Sequence, residues 1–350
     1  MKKKVIIIIL ELAVIVAMLV ALYMFRDFGN TSIQRVEFND TDIEINEPVK
    51  EDVEMKGYLN IALFGVDSRG GRIKEKTRSD VMIIASINQD TGDIKLVSVY
   101  RDTYLNLSTD KYQKCNAAYM YGGPKQAINM LNQNLDLDIE DFVTVGFEGL
   151  KDAVDALGGI MIDVSKSEIV HLNNYQFTMA EDLDCDYTPV KEEGLQLLDG
   201  LQATAYCRIR YTSGGDFKRA ERQREVIKAM IEKAKQCDVE TLVEVVNEVA
   251  SSGVVYTSLD IKEMLALVPD LPKYKVVAED GFPKADYRGT GKLGSDGDCV
   301  LALDLVKNVE WLHEFLFDDA HHEASEVVQT NSQYVREKIA KYFPDMKYPD

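Results

Sequence analysis

The chain has 350 residues, 46% of them hydrophobic, enough for one or two domains with a substantial core. Its formal charge is -19 and its pI about 4.7. A general nucleic-acid binder needs a broad basic surface, so that class is excluded, and any local cluster of arginines becomes informative.

Lys2, Lys3 and Lys4 precede an almost wholly apolar run over residues 5–25. A helix of about 20 apolar residues spans a bilayer core, and the lysines favour a cytoplasmic N-terminus. The run is longer than the apolar part of a cleaved signal and lacks a small-x-small site. It reads as an uncleaved single-pass anchor in the cell membrane. Residues 1–4 are then a cytoplasmic tail, and the rest of the chain is extracytoplasmic. Glu11 has three readings: protonated, paired in an oligomer, or at the interface. Residues 26–54 follow as an acidic stem, densest in carboxylates over 36–54, with short apolar pieces that suit an edge strand. Cys115, Cys185, Cys207, Cys237 and Cys299 show no CxxC or metal spacing and read as buried free thiols.

The extracytoplasmic catalytic domain is predicted over 55–317, with 318–350 a polar C-terminal tail. Residues 58–66 (YLNIALFGV) read as a strand ending in the turn-like Asp67-Ser68-Arg69-Gly70-Gly71. Two more strands at 80–87 and 94–99 flank the hairpin turn Asn88-Gln89-Asp90-Thr91-Gly92. Ala127, Ile128, Met130, Leu131 and Leu135 fall at helical spacing over 124–135. A strand at 141–147, a helix at 148–157 stopped by Gly158-Gly159, and a strand at 160–164 come next. Helices are predicted at 217–237, 239–250, 258–268 and 300–316. Strands alternating with helices imply a layered α/β fold, a sheet flanked by helices.

Nine of the 13 arginines stand in three blocks: Arg69, Arg72 and Arg78; Arg101; and Arg208, Arg210, Arg219, Arg222 and Arg224. Each block lies at a strand end or helix start. Guanidinium forks fit phosphate oxygens and stay charged when partly buried, so the pattern points to a diphosphate ligand. Surface charge at helical spacing accounts equally well for Arg222 and Arg224. Arg208 and Arg210 alternate in a short β-like stretch, which puts both on one side as a paired clamp. Asp67 and Asp80 stand at adjoining strand ends, where ligands of α/β sheets bind. Two carboxylates beside phosphate-binding arginines suit Mg2+ or Mn2+. The other reading is that Asp67 caps a turn and Asp80 pairs with an arginine.

Three tempting motifs are set aside. Gly214-Gly215-Asp216-Phe217 looks like part of a cyclic-dinucleotide cyclase signature but lacks its glutamate and opens a helix. Gly291-Lys292 is no P-loop, because Leu293 replaces the hydroxyl residue. His321-His322 lies in the polar tail and reads as solvated, not as a metal site.

Joined in order, several blocks resemble the LytR–CpsA–Psr (LCP) family of cell-wall glycopolymer ligases. They are NIALFGVDSR over 60–69, Arg78-Ser79-Asp80-Val81-Met82, Arg101-Asp102-Thr103, Lys114-Cys115-Asn116-Ala117-Ala118-Tyr119, and Asp155-Ala156-Leu157-Gly158-Gly159. Leu198-Asp199-Gly200, Tyr206-Cys207-Arg208-Ile209-Arg210, Gly215-Asp216-Phe217, Arg219 and Arg222-Gln223 complete the pattern, which holds over about residues 58–235. The resemblance implies an α/β fold with a deep apolar groove for a polyprenyl chain. It implies a phosphotransferase that moves a glycopolymer from a polyprenyl-diphosphate carrier onto peptidoglycan, forming a phosphodiester and releasing polyprenyl phosphate.

Asp67 and Asp80 match the family's Mg2+-associated aspartates, with Mn2+ the alternative ion. Arg78, Arg101, Arg208, Arg210 and Arg219 match its diphosphate-binding arginines and complete the expected catalytic set. Asp216 matches a family acid beside them, and Lys114 a family lysine. Arg69, Asp102, Arg222 and Gln223 join these two as expected substrate-binding residues. Tyr100 departs from the usual proline and Val81 from the usual threonine. The alternatives are a pyrophosphatase using water and a non-catalytic lipid-binding or regulatory envelope protein. The identity of the glycopolymer, and the choice of Asp67 or Asp102 as proton acceptor, stay open.

Overall fold

The computed structural model describes residues 34–39, 42–52, 54–67, 77–251 and 255–348. The expected anchor at 5–25, Arg69 and Arg72 lie outside them. No helix among the described residues is long and apolar enough to cross a membrane.

The chain begins with β1 (Gln34–Arg35) and a short α1 (Glu47–Lys50), then lays down β2 (Tyr58–Val66), β3 (Ser79–Asn88) and β4 (Asp93–Val99). A small hairpin of β5 (Tyr104–Asn106) and β6 (Tyr112–Lys114) leads into α2 (Ala117–Leu135). Gly122 and Gly123 leave helical geometry, so the periodic run at 124–135 is the second limb of α2. Next come β7 (Asp141–Val145), α3 (Phe147–Ala156), β8 (Ile160–Val164), α4 (Lys166–Leu183), β9 (Gly194–Leu198), α5 (Gly200–Arg208) and α6 (Gly215–Ala234). The chain continues through α7 (Val239–Ser251), β10 (Val255–Thr257), α8 (Ile261–Ala266), β11 (Lys275–Phe282), β12 (Arg288–Lys292) and β13 (Asp298–Ala302). It closes with α9 (Leu305–Phe317) and α10 (Glu326–Tyr342).

Seven strands form the central sheet in the order β1-β10-β7-β2-β3-β4-β11. β3 runs antiparallel to β2 and β4, while β7 is parallel to β2 and β11 is parallel to β4. Four strands therefore end, and β3 begins, at one edge of the sheet. Strand alternation sends Ala62, Phe64, Val66, Met82, Ile84, Val97 and Val99 to one face, where α2 and α9 cover them. Each of the valine, isoleucine, methionine and phenylalanine side chains among them contributes about 1.5–3 kcal/mol by leaving water. On the other face, Ile83 and Ala85 meet Ile227 and Ile231 of α6. There α6 lies over β4 and β11. On this face Leu63 and Val81 stay only partly buried.

The structure corrects several expectations. Residues 300–302 belong to β13, paired with β12, and the helix starts after Asp304, whose Oδ1 accepts from the Lys307 amide at 3.2 Å. The helix expected at 258–268 shrinks to α8, because Pro269 and Pro272 force a 3-10 segment over Val268–Lys273. The 318–350 segment is not peripheral: Val328, Val335 and Ile339 of α10 are fully buried, one apolar stripe of an otherwise polar helix. In the stem, the expected edge strand forms. Val36, Phe38, Ile43 and Ile45 pack on the core, and β1 pairs with β10 as its edge strand. All five cysteines are free; Cys115, Cys207 and Cys299 are buried, whereas Cys185 is exposed.

Candidate active site

The site forms where the strand ends meet the start of α6. A β-bulge sets its first residue. Gly65 pairs with Val81 and Val66 with Ser79, so Asp80 is the extra residue on β3. Such a bulge re-aims a side chain out of the ladder. Asp80 Oδ1 lies 2.6 Å from Arg101 Nη1, and its Oδ2 lies 3.6 Å from Arg210 Nη2. Arg101 follows the end of β4; Arg210 lies two residues past the end of α5.

The second carboxylate is Asp216, in the first turn of α6, where the positive end of the helix dipole favours an acid. Asp216 Oδ2 accepts from Arg101 Nη2 at 3.2 Å and Nε at 3.3 Å. Its Oδ1 lies 3.6 Å from Arg210 Nε and 3.4 Å from Arg219 Nη1. With Asp102 3.7 Å from Arg101 and paired with Lys114, four cations thus meet three carboxylates, leaving one positive charge uncompensated. Burial, and then Arg101 and Arg210, push the Arg219 guanidinium down to about 10, so it stays charged at neutral pH. Its Nε is buried with no hydrogen-bond partner, an unmet donor in a cavity lined also by Asp80, Arg101, Asp216 and Gln223. For Arg101, burial acts downward, but Asp80, Asp216 and Asp102 outweigh it and raise the group. Beside this cluster, Lys114 Nζ lies 3.0 Å from Asp102 Oδ1.

Other expected residues take different places. Asp67, one position past Val66, and Arg78, one before Ser79, are exposed at the same sheet edge. Arg208 ends α5 and does not continue a β-like stretch, so the paired clamp with Arg210 is corrected. Its guanidinium stacks over Phe147 at 4.4 Å and Tyr175 at 5.2 Å. Arg222 is enclosed: Nε donates to Glu168 Oε1 at 2.7 Å, Nη1 to the Ile209 carbonyl at 3.1 Å and Nη2 to Thr212 Oγ1 at 2.7 Å. It holds the 209–212 loop that carries Arg210, and its guanidinium is spent on protein partners, not on a ligand. Arg224, also read as surface charge, is buried against Ser98 Oγ at 2.7 Å. Gln223 is buried and donates to the Cys207 carbonyl at 3.4 Å.

Sequence reasoning singled out Tyr100 but missed Phe217 and Arg288, which form a wall with it. Arg288 Nη1 donates to Tyr100 Oη at 2.9 Å, and its guanidinium lies 3.9 Å over the Phe217 ring. Tyr100 N donates to the Phe282 carbonyl at 3.0 Å, a bond that proline cannot make. The tyrosine ring fills the space a Cβ would take at Gly281. Gly281→Ala is therefore expected to displace Tyr100 and cost roughly 1–3 kcal/mol by overpacking. Urea unfolding checks this, and a midpoint equal to wild type would contradict it.

A sheet edge that gathers arginines, paired acids and a helix N-terminus has the chemistry that suits a phosphate group. The chain belongs to the LytR_cpsA_psr family, whose profile matches residues 27–294. It is 30% identical over 249 residues to the polyisoprenyl-teichoic acid–peptidoglycan teichoic acid transferase TagU of Oceanobacillus iheyensis, covering 69% of this chain and 70% of that one. It is 32% identical over 244 residues to the TagU of Halalkalibacterium halodurans, covering 67% and 74%. Its fold is similar to that of YwtF (TagT) from Bacillus subtilis, solved with octaprenyl pyrophosphate lipid. The TM-score is 0.57 at 22% identity, over 81% of this chain and 99% of that one.

Proposed function

We propose that this chain transfers a glycopolymer from a polyprenyl-diphosphate carrier onto peptidoglycan. The observation that carries this reading is the convergence of Arg101, Arg210 and Arg219 on Asp80 and Asp216 at the sheet edge. In the reaction an acceptor hydroxyl, typically C6-OH of N-acetylmuramic acid, attacks the sugar-side phosphorus. A new P–O bond forms, the bridging P–O bond breaks, and the electron pair leaves with polyprenyl phosphate. The hydroxyl proton passes to Asp67 or Asp102. Arg101, Arg210 and Arg219 hold the diphosphate and stabilise the charge that grows on the leaving phosphate. Asp80 and Asp216 hold the forks in place when no ligand is bound.

Mg2+ suits this donor set, with Mn2+ as the alternative. Mg2+ is held by one or two carboxylates plus substrate phosphates, and not by an all-protein cage. Asp80 is turned out of its ladder by the bulge, and Asp67 is exposed at the adjoining strand end. When bound, the ion neutralises phosphate charge.

The lipid would enter beside α6, over Leu63 and Val81. These apolar positions, only partly buried on the sheet's second face, support a deep apolar groove. Val81→Trp fills that gap. It is expected to raise KM at least tenfold for a long polyprenyl donor while sparing a short-chain donor; equal effects on both would contradict it. Residues 5–25 would anchor the chain, with the domain on the outer face of the cell membrane, beside the peptidoglycan acceptor. The test of function is polyprenyl phosphate release by the full-length protein, with and without peptidoglycan. Transfer requires release to depend on the acceptor; release into water alone makes the protein a pyrophosphatase, and no release a binding protein.

A further inference from the structure

A second polar cluster lies outside the arginine site. Asp52 of the stem, His313 of α9, and Asp319 and His322 of the turn between α9 and α10 each offer a ligand atom, all within 4.8 Å of one another. The sequence placed His322 in solvent, but its side chain is 8% exposed. His313 is fully buried. Its Nε2 lies 3.0 Å from the Leu135 carbonyl, so that nitrogen carries the proton. Its Nδ1 is left with no hydrogen-bond partner. A buried imidazole nitrogen with a lone pair and no donor to satisfy it is a vacant ligand.

The surroundings match those of a metal centre. Ligating histidines usually give their other N–H to a carbonyl or carboxylate. His313 faces the Leu135 carbonyl, and His322 Nε2 lies 3.4 Å from Asp136 Oδ2, beside the carboxylate but without a hydrogen bond to it. Asp136 is itself fixed by Asn46 Nδ2 at 2.6 Å and the Ser325 amide at 2.7 Å. That leaves His322 Nδ1, 4.0 Å from Asp319 Oδ2, facing the cluster. Asp52 and Asp319 each spend one oxygen, Oδ1, on nearby backbone amides, with Oδ2 remaining.

We propose that Asp52, His313, Asp319 and His322 bind a transition-metal dication of the Zn2+ class, stapling the stem to α9 and to the turn before α10. Two imidazoles disfavour Mg2+ and Ca2+, which take oxygen ligands, and four protein ligands suit a closed structural Zn2+ site. Three of the four ligands lie beyond the 27–294 family match. The two rings stack 3.4 Å apart at 11°. Ligation in each ring plane requires them to splay.

The test uses the full chain, stripped with chelator and titrated separately with Co2+ and Zn2+. One equivalent of Co2+ with the visible bands of a low-symmetry tetrahedral site is expected, together with a rise in Tm on adding Zn2+. Both should weaken at least tenfold in Asp52→Asn/Asp319→Asn. Because these side chains are partly exposed, that variant tests the site without emptying the buried histidine pocket. No bands and no Tm shift in wild type at millimolar metal would overturn the proposal. So would equal binding by the double variant.

Discussion

Arg101→Ala is expected to lower kcat about 100- to 1000-fold, the usual cost of removing one donor aimed at developing charge. The effect is large because Arg101 is the hub of the cluster, contacting Asp80 at 2.6 Å, Asp216 at 3.2 Å and Asp102 at 3.7 Å. Loss of the guanidinium removes a fork from the diphosphate and one of the cations that offset Asp80 and Asp216. Stability should change little. Asp80 and Asp216 keep Arg210 and Arg219, and at 29% and 37% side-chain exposure water screens what remains. Arg101→Lys is expected to recover only part of the rate, since an ammonium cannot form the bidentate fork. Steady-state release of polyprenyl phosphate, with urea unfolding in parallel, measures both effects. Wild-type kcat in Arg101→Ala would contradict the role given to it.

Arg222→Ala should have the largest effect on stability. The Arg222–Glu168 pair is 1% and 6% exposed at 2.7 Å. Removing one partner of such a pair costs about 3–5 kcal/mol, because the other charge stays buried alone. Glu168 is held in place from its other oxygen, where Oε2 accepts from Ser165 N at 2.8 Å and Ser165 Oγ at 2.6 Å. It therefore cannot turn out to solvent. The 209–212 loop loses its two anchors to Arg222 as well, so Arg210 should lose its position and kcat should fall. Arg222→Met with Glu168→Leu should restore most of the stability without restoring full rate. A double variant as active as wild type would show that the loop needs no such anchor.

The contrast between Arg101 and Arg222 shows what the sequence could reveal. That Arg101, Arg210, Arg219 and Asp80 gather in one place was legible, because strand ends and a helix start concentrate charge there. The bulge that turns Asp80 outward was not legible, because it exists only in the pairing of β2 with β3. Arg224 looked like a solvated helix charge and Arg222 like either that or a substrate ligand, since burial depends on partners far along the chain: Glu168, 54 residues away, and Ser98, 126 away. One signal was readable. Ser165-Lys166-Ser167-Glu168 is a capping box that announces α4 and fixes Glu168 at its third position. The polar tail hid α10 because a single apolar stripe, Val328, Val335 and Ile339, suffices to dock it. His322, read as solvated, instead lies partly buried and stacked on His313.

The most direct test of the proposed reaction places a radioactive phosphorus only at the sugar-side phosphate of the polyprenyl-diphosphate donor. After reaction with the full-length protein and peptidoglycan, the label should lie in a phosphodiester on the peptidoglycan, and the released polyprenyl phosphate should be unlabelled. Label in the polyprenyl phosphate, or in a free sugar phosphate formed equally well without peptidoglycan, would contradict the proposed transfer.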